Sequence, residues 1–183
     1  MAAFASPAAL VSHLQADVDL ETAKQALDLV SGAIRGLCGW SISQESVTGL
    51  RVSGLGRKSL WLPTLHLTSV DSVVEDGVAL TEGVHFDWTS NGRLLRNRSW
   101  SASVRSITVA FTHGYPAGHA VLDSVAGVCL SAAARLVDNP TSRRSGQLGP
   151  EAWTAAGPGD EVVSILARGE CAQLAPWTLP MVA

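Results

Sequence analysis

Lysine is almost absent. Lys24 and Lys58 are the two lysines among thirteen basic residues, which leaves eleven arginines in a chain of 183. Charged residues of both signs make up only 16%, against about a quarter in an ordinary globular domain. Thirteen basic and sixteen acidic residues give a net charge of −3. A dedicated nucleic-acid binder should carry a basic surplus, so that class is excluded. Cysteine is sparse: Cys38, Cys129 and Cys171 are odd in number, far apart and in no CxxC pair. Neither a disulfide framework nor a zinc site is indicated, and each is expected to act as a small buried hydrophobe. No unbroken apolar run approaches the ~18 residues of a membrane span. No basic residue precedes the apolar start, so a secretory signal is not expected. The chain is expected to be soluble in a reducing cytoplasm.

Catalytic signatures are lacking too. There is no nucleophile elbow of the G-x-S-x-G type, no HExxH and no calcium loop. Gly54-Leu55-Gly56-Arg57-Lys58-Ser59 has a phosphate-loop look, but Arg57 stands where the motif needs glycine. It reads as a hairpin turn with a basic tip. His113 and His119 fall six apart on one loop, a spacing that fits neither one helix face nor a zinc pair. No catalytic residue, cofactor or metal is assigned.

What is present is apolar pattern: 46% of residues are hydrophobic. Ser6-Pro7 is an N-cap followed by proline at the first helical position, which predicts a helix from Pro7 to about Gln15. Asp17 or Asp19 caps a second. There Leu20, Ala23, Leu27, Val30, Ile34 and Leu37 recur at steps of three and four, one face of a helix. Gly39 is its stop. From about Thr48 the period changes to two. Short β-rich runs are punctuated by Asp76-Gly77 and Asn91-Gly92, both hairpin signals. Ile107, Val109 and Phe111 alternate with polar or small residues, a half-buried strand. About five or six antiparallel strands are expected. Val121, Val125, Val128, Cys129, Ala132 and Leu136 then return to helical spacing, and Asn139-Pro140 ends the helix.

After Pro140 the composition turns to Ser, Gly, Pro and Arg. Residues 141–159 read as an extended, mobile arm. A short helix is expected over Asp160–Ala167. The end, Leu174 to Val182, is apolar and proline-broken, which a free tail should not be, so docking is expected. The fold class is α+β: a helical bundle of two N-terminal helices and a long helix after the sheet, an inserted antiparallel β unit and an extended C-terminal arm. The expected division is a core over 1–140, with the β insertion at about 48–112, and an arm over 141–183. Six tryptophans stand beside one tyrosine. Trp100, Trp153 and Trp177 lie in irregular stretches, where a core and an interface role are equally open.

The order of these segments resembles the head–tail connector, or adaptor, proteins of long-tailed double-stranded DNA bacteriophages. The resemblance is carried by Leu60-Trp61-Leu62-Pro63, by Leu67-Thr68-Ser69-Val70-Asp71-Ser72-Val73-Val74-Glu75-Asp76-Gly77, and by Asn91-Gly92-Arg93-Leu94-Leu95-Arg96 with Trp100. Its most recognisable stretch is Ile107 to Pro116, ending in His113-Gly114-Tyr115-Pro116. The helix from about Val121 and Ser145-Gly146-Gln147-Leu148-Gly149 follow in family order. It spans nearly the whole chain, and none of its motifs is catalytic.

The resemblance implies a structural virion protein and no enzyme. Such adaptors form a ring, usually a dodecamer, beneath the portal, extend the DNA channel and link the capsid to the next neck component. The implied partners are the portal protein, further copies of the chain, the next neck protein (stopper or tail terminator), and passing DNA bound without sequence specificity. No membrane is involved. The implied location is the virion neck, assembled in the host cytoplasm. Trp153, Leu174, Pro176, Trp177 and Leu179 are the expected interface residues. Arg57, Lys58, Arg93, Arg96 and Arg98 are expected on loops facing the channel or the next ring. Two alternatives remain: another neck component, such as a stopper or tail terminator, or a small hydrolase using His113 or His119.

Overall fold

The structure, a computed structural model, describes residues 2–15, 18–138, 145–148, 151–154 and 165–180. The architecture is α+β, and the chain divides into two compact units. Unit 1 is Met1–Cys38 with Ala120–Thr178, and unit 2 is Gly39–His119 with Leu179–Ala183.

Unit 1 is helical. Helix α1 (Pro7–Leu14) starts as its sequence dictates: the Ser6 hydroxyl accepts from the Ala9 N–H at 3.2 Å, and Pro7 takes the first position. Helix α2 (Leu20–Cys38) is capped by Asp19, whose carboxylate accepts from the Glu21 and Thr22 N–H groups at 3.1 and 3.2 Å. Gly39 ends it at φ +77°, a conformation glycine adopts at low cost. Ala23, Ala26, Leu27, Val30, Ser31, Ile34 and Cys38 face inward. The expected face fails at its two ends, where Leu20 is 58% and Leu37 38% exposed. Leu20 lies in the first turn, ahead of the packed stretch. The next inward position after Ile34 goes to Cys38.

Helix α3 (Ala120–Asp138) packs against both α1 and α2. By length and composition it is apolar enough to cross a membrane. No unbroken apolar run marks it in the sequence, because Asp123, Ser124, Gly127 and Ser131 interrupt the run without making the helix polar. Its buried positions are Val125, Val128, Cys129, Ala132 and Ala133. Asn139 and Pro140, expected as its stop, lie outside the described residues.

The C-terminal region departs from a plain arm. Strands β8 (Ser145–Leu148) and β9 (Glu151–Thr154) pair antiparallel. The helix expected over Asp160–Ala167 is not found in its described part: Ile165–Ala167 are non-helical, and residues 160–164 lie outside the described set. Helix α4 (Arg168–Leu174) comes later. Its start is set by Glu170, whose carboxylate accepts from the Ala167 N–H at 2.6 Å and from Arg135 of α3 at 2.6 and 2.9 Å. Arg135 also donates to the Ile165 carbonyl at 2.8 Å. These bonds, with Leu174 fully buried, make α4 part of unit 1.

Unit 2 holds seven strands: β1 (Glu45–Val52), β2 (Ser59–Trp61), β3 (Leu67–Glu75), β4 (Val78–Leu80), β5 (Asp87–Thr89), β6 (Arg93–Leu95) and β7 (Ile107–His113). One sheet runs β1-β7-β3-β4 and the other β2-β6-β5, all antiparallel. Asp76-Gly77 joins β3 to β4 with both residues at positive φ, +48° and +82°, the hairpin turn that strand twist favours. Asn91-Gly92 turns β5 into β6 through three residues, with Trp88 opposite Leu94. Residues 107–113 alternate strictly between buried and half-buried. The two sheets share one core, in which Leu60 and Leu94 meet Val73, Val109, Phe111 and Trp100.

Candidate functional site

The turn Gly54–Arg57 was expected to close a hairpin. It instead carries the chain between sheets, because β1 pairs with β7 and β2 with β6. Leu55 and Gly56 both take positive φ, +52° and +66°, and the Arg57 N–H donates to the Gly54 carbonyl at 3.1 Å. A second loop, 96–106, is zipped onto this one. The Trp100 N–H donates to the Arg57 carbonyl at 2.8 Å, and the Arg96 N–H to the Lys58 carbonyl at 2.9 Å. The approach is close enough that a Cβ on Gly54 would lie 2.3 Å from the Trp100 Cβ. Together the loops form a tip bearing exposed Arg57, Lys58, Arg98 and Arg105. Among the described residues, Arg57, Lys58 and Arg105 make no ion pair. Exposed Leu55 and Val104 sit beside them.

This tip holds three of the five cations expected on loops. Arg93 is half-buried, with its guanidinium 5.5 Å from the ring centre of the exposed Trp61. Arg96 corrects the sequence reading. Its guanidinium bonds the Glu75 carboxylate and lies 4.6 Å over the Trp100 ring, leaving its side chain 5% exposed. It is not available to a channel or a neighbour. Arg105 was missed: it holds φ +56° while its N–H donates to the Ser53 hydroxyl at 2.9 Å. Its only sequence signal is a polar stretch between Trp100 and Ile107.

The histidine loop forms an aromatic stack. Tyr115 lies between His66 at 4.2 Å and His119 at 4.6 Å, ring centre to ring centre. The His66 Nδ1 is 3.1 Å from the Gly114 carbonyl oxygen. His113 is buried against Phe111 at 5.2 Å and Trp40 at 6.0 Å. Among the described residues no group of three His, Cys, Asp or Glu is arranged to hold a metal ion. Burial pushes the His113 imidazole below its ordinary pKa, and the field of Glu45 opposes this only in part.

A buried neutral imidazole ties stability to pH. The unfolded chain takes up a proton near pH ~6.5, while the folded chain resists until the pH is lower. The contribution is complete above the unfolded value and is lost as the pH falls from there toward the depressed folded value. Wild type should therefore show a falling urea midpoint between about pH 7.5 and about pH 5, and His113→Leu should flatten that part of the profile. Equal slopes for the two proteins would assign the effect to other groups.

The expected interface residues are scattered. Leu174 is buried in unit 1, Trp177 is half-buried in the 3-10 turn Ala175–Trp177, and Pro176 is exposed. The half-buried Leu179 belongs to unit 2, with its Cβ 3.6 Å from where a Cβ on Gly39 would lie. Trp153 is on β9, and its side chain lies outside the described residues. Trp100, open between core and interface in the sequence, is a core residue at 1% exposure. Burial raises the thiol pKa of Cys38 and of Cys129, outweighing hydrogen bonds from Thr178 and Ser31 respectively. Cys171 is half-buried.

No protein-family model matches the chain, and no curated protein matches it. Solved structures do. A chain of the neck of a native gene transfer agent (GTA) particle, computed with C12 symmetry, aligns with TM-score 0.56 at 14% identity over 97% of this chain and 92% of its own. A chain of the neck of the empty GTA particle, computed with C6 symmetry, gives 0.56 at 17% identity over 97% and 90%. A chain of the native GTA virion gives 0.53 at 15% over the same shares. At these identities the likeness is one of fold, and it extends over nearly the full length of both chains.

Proposed function

We propose that this chain is a structural neck protein: a head-to-tail adaptor that forms a ring beneath the portal, extends the DNA channel and joins the capsid to the next neck component. The observation that carries this reading is the full-length likeness to chains of particle necks computed with C12 and C6 symmetry. The motif order from Leu60 to Gly149 supports it independently. The work is mechanical. A ring wall needs rigid helices, and unit 1 supplies two of 19 residues each. A channel or the next ring needs presented loops, and the tip of unit 2 supplies exposed cations on a backbone fixed by hydrogen bonds. The two long helices favour the adaptor over a stopper or tail terminator. Of the two histidines behind the hydrolase reading, His113 is buried among Trp40 and Phe111, and the exposed His119 stacks on Tyr115.

Among the expected contacts, Arg57, Lys58 and Arg98 with Arg105 serve the channel or the next ring, and Pro176, Trp177 and Leu179 serve docking. Electron microscopy of particles carrying a tagged chain tests the reading. Ring density directly beneath the portal is expected. Label on the capsid lattice or tail tube, or particles with complete necks in its absence, would overturn it.

A further inference from the structure

The tip of unit 2 departs from the chemistry that its own backbone calls for. Leu55 and Gly56 are the central residues of the turn 54–57, both at positive φ. The chain builds the turn between β3 and β4 with the same signs, and there Asp76 takes the first central place. Glycine, asparagine and aspartate reach this region at low cost, and leucine does not. Leu55 is also 66% exposed and takes no part in the core of unit 2. It suits neither its turn nor the water around it, which points to a contact outside the chain.

Val104 repeats the pattern on the facing loop, at 80% exposure beside Arg105 with its positive φ. The two loops are tied together by the bond from the Arg105 N–H to the Ser53 hydroxyl and by that from the Trp100 N–H to the Arg57 carbonyl. A Cβ on Gly56 would lie 3.9 Å from the Ala102 Cβ. Two aliphatic side chains are thus presented on a backbone fixed in advance, which lowers the ordering cost of binding.

The charge around them has one sign. Residues 53–59 and 96–106 contain five basic residues and no acidic one. Arg96 is withdrawn onto Glu75, and Arg57, Lys58, Arg98 and Arg105 stay exposed. The carboxylates bordering the tip do not cancel them. Glu75 is held by Arg96 and the Ser101 N–H. Glu82 accepts from the Trp88 indole at 2.7 Å. Asp87 is on β5, two strands from β2 and so about 10 Å away. That leaves the exposed Asp76, whose N–H donates to the Ser106 carbonyl at 2.9 Å.

Cations alone would suit the phosphates of DNA as well as an acidic protein. The aliphatic pair separates the two. A phosphodiester backbone offers Leu55 and Val104 no apolar surface, and holding it takes only charge. An apolar centre rimmed by cations matches a protein surface of the opposite design. We infer that the tip docks on an acidic protein, with Leu55 and Val104 entering an apolar recess and the four cations meeting Asp and Glu side chains around it. This rests on the neck reading and, for the tip, selects a neighbouring protein of the particle over the channel.

The test places a photo-crosslinker on the tip of the full-length chain within assembled particles. Ala102→p-benzoylphenylalanine puts it at an exposed site between the loops without removing Leu55 or Val104. Peptide mass spectrometry is expected to find it joined to an Asp- or Glu-rich segment of a different particle protein. In the same background, Arg57→Glu/Arg98→Glu should lower the yield about tenfold. Leu55→Asn separates contact from folding. Asparagine tolerates the turn better, so the urea midpoint should not fall, while the yield drops. Crosslinks to DNA, to lipid or to another copy of this chain, or none at all, would overturn the inference. So would a Leu55→Asn variant that is less stable than its parent or crosslinks as well. Ring density beneath the portal with crosslinks only to DNA would sink the docking tip and leave the neck reading standing. Crosslinks to an acidic protein from a chain located elsewhere would do the reverse.

Discussion

Replacing Gly114 by alanine is expected to destabilise unit 2 by about 3–5 kcal/mol. Two costs combine. Gly114 holds φ +91°, where an L-residue is strained. A Cβ there would also lie 2.3 Å from the Ser43 carbonyl oxygen and 2.6 Å from its carbon. Both atoms are backbone and have no rotamer by which to withdraw. They belong to a crossing point at which segments 42–44 and 113–115 are stitched together. The Tyr115 N–H donates to the Ile42 carbonyl at 2.8 Å, and the Gln44 N–H to the Tyr115 carbonyl at 2.9 Å. Moving either segment loses those bonds and disturbs the end of β7. Gly118→Ala is the control. It too has a positive φ, +81°, but among the described residues nothing lies within 4 Å, so a cost of about 1 kcal/mol is expected. Urea unfolding followed by tryptophan emission measures both, since four of the tryptophans are in unit 2. Equal losses for the two variants would remove the close approach as the cause.

Arg96→Ala is expected to cost about 3 kcal/mol. The Glu75 carboxylate accepts from the Arg96 guanidinium and from the Ser101 N–H, the latter at 2.7 Å. Their side chains are 5% and 15% exposed. Removing the arginine leaves a carboxylate out of water and uncovers the Trp100 ring. The double variant Glu75→Leu/Arg96→Met should cost clearly less than Arg96→Ala, because it leaves no buried charge behind. A double variant as damaged as Arg96→Ala would mean that the aromatic contact, and not the charge, matters. The pH dependence follows from the same geometry. Burial pushes the Glu75 pKa up, but the bonds from Arg96 and Ser101 outweigh it and leave the group below its ordinary value. Its stabilisation is therefore complete above the unfolded pKa of ~4.3 and is lost as the pH falls through the lower folded value.

Much of the fold is legible in the chain because its signals are local. Ser6-Pro7, Asp19 and Gly39 bound α1 and α2 through groups within a few residues of each helix end. Asp76-Gly77 and Asn91-Gly92 mark their turns because positive φ is a property of the residue itself. Residues 107–113 announce a strand because one face is buried at a period of two. The hairpin expected at Gly54–Arg57 fails for the opposite reason. Its turn geometry is right for a hairpin, but β1 and β2 find their partners elsewhere, in β7 and β6.

The candidate surface was legible in part. Arg57, Lys58 and Arg98 stand on the exposed tip as their turn-rich context implies. Arg96 does not, because its fate depends on Glu75, 21 residues earlier. Leu174 reads as a sticky tail residue, yet it is buried where Arg135 of α3 anchors Glu170, 35 residues away.

By itself the sequence determined the α+β class, the places where helix gives way to strand and back, and the want of catalytic motifs. All of these are written in spacing, caps and turns, which act over a few residues. Only the tertiary structure decided which strands pair, which arginine is withdrawn into an ion pair, and which glycines another segment crowds. Those depend on groups far apart in the chain meeting, or failing to meet, across a packed interior.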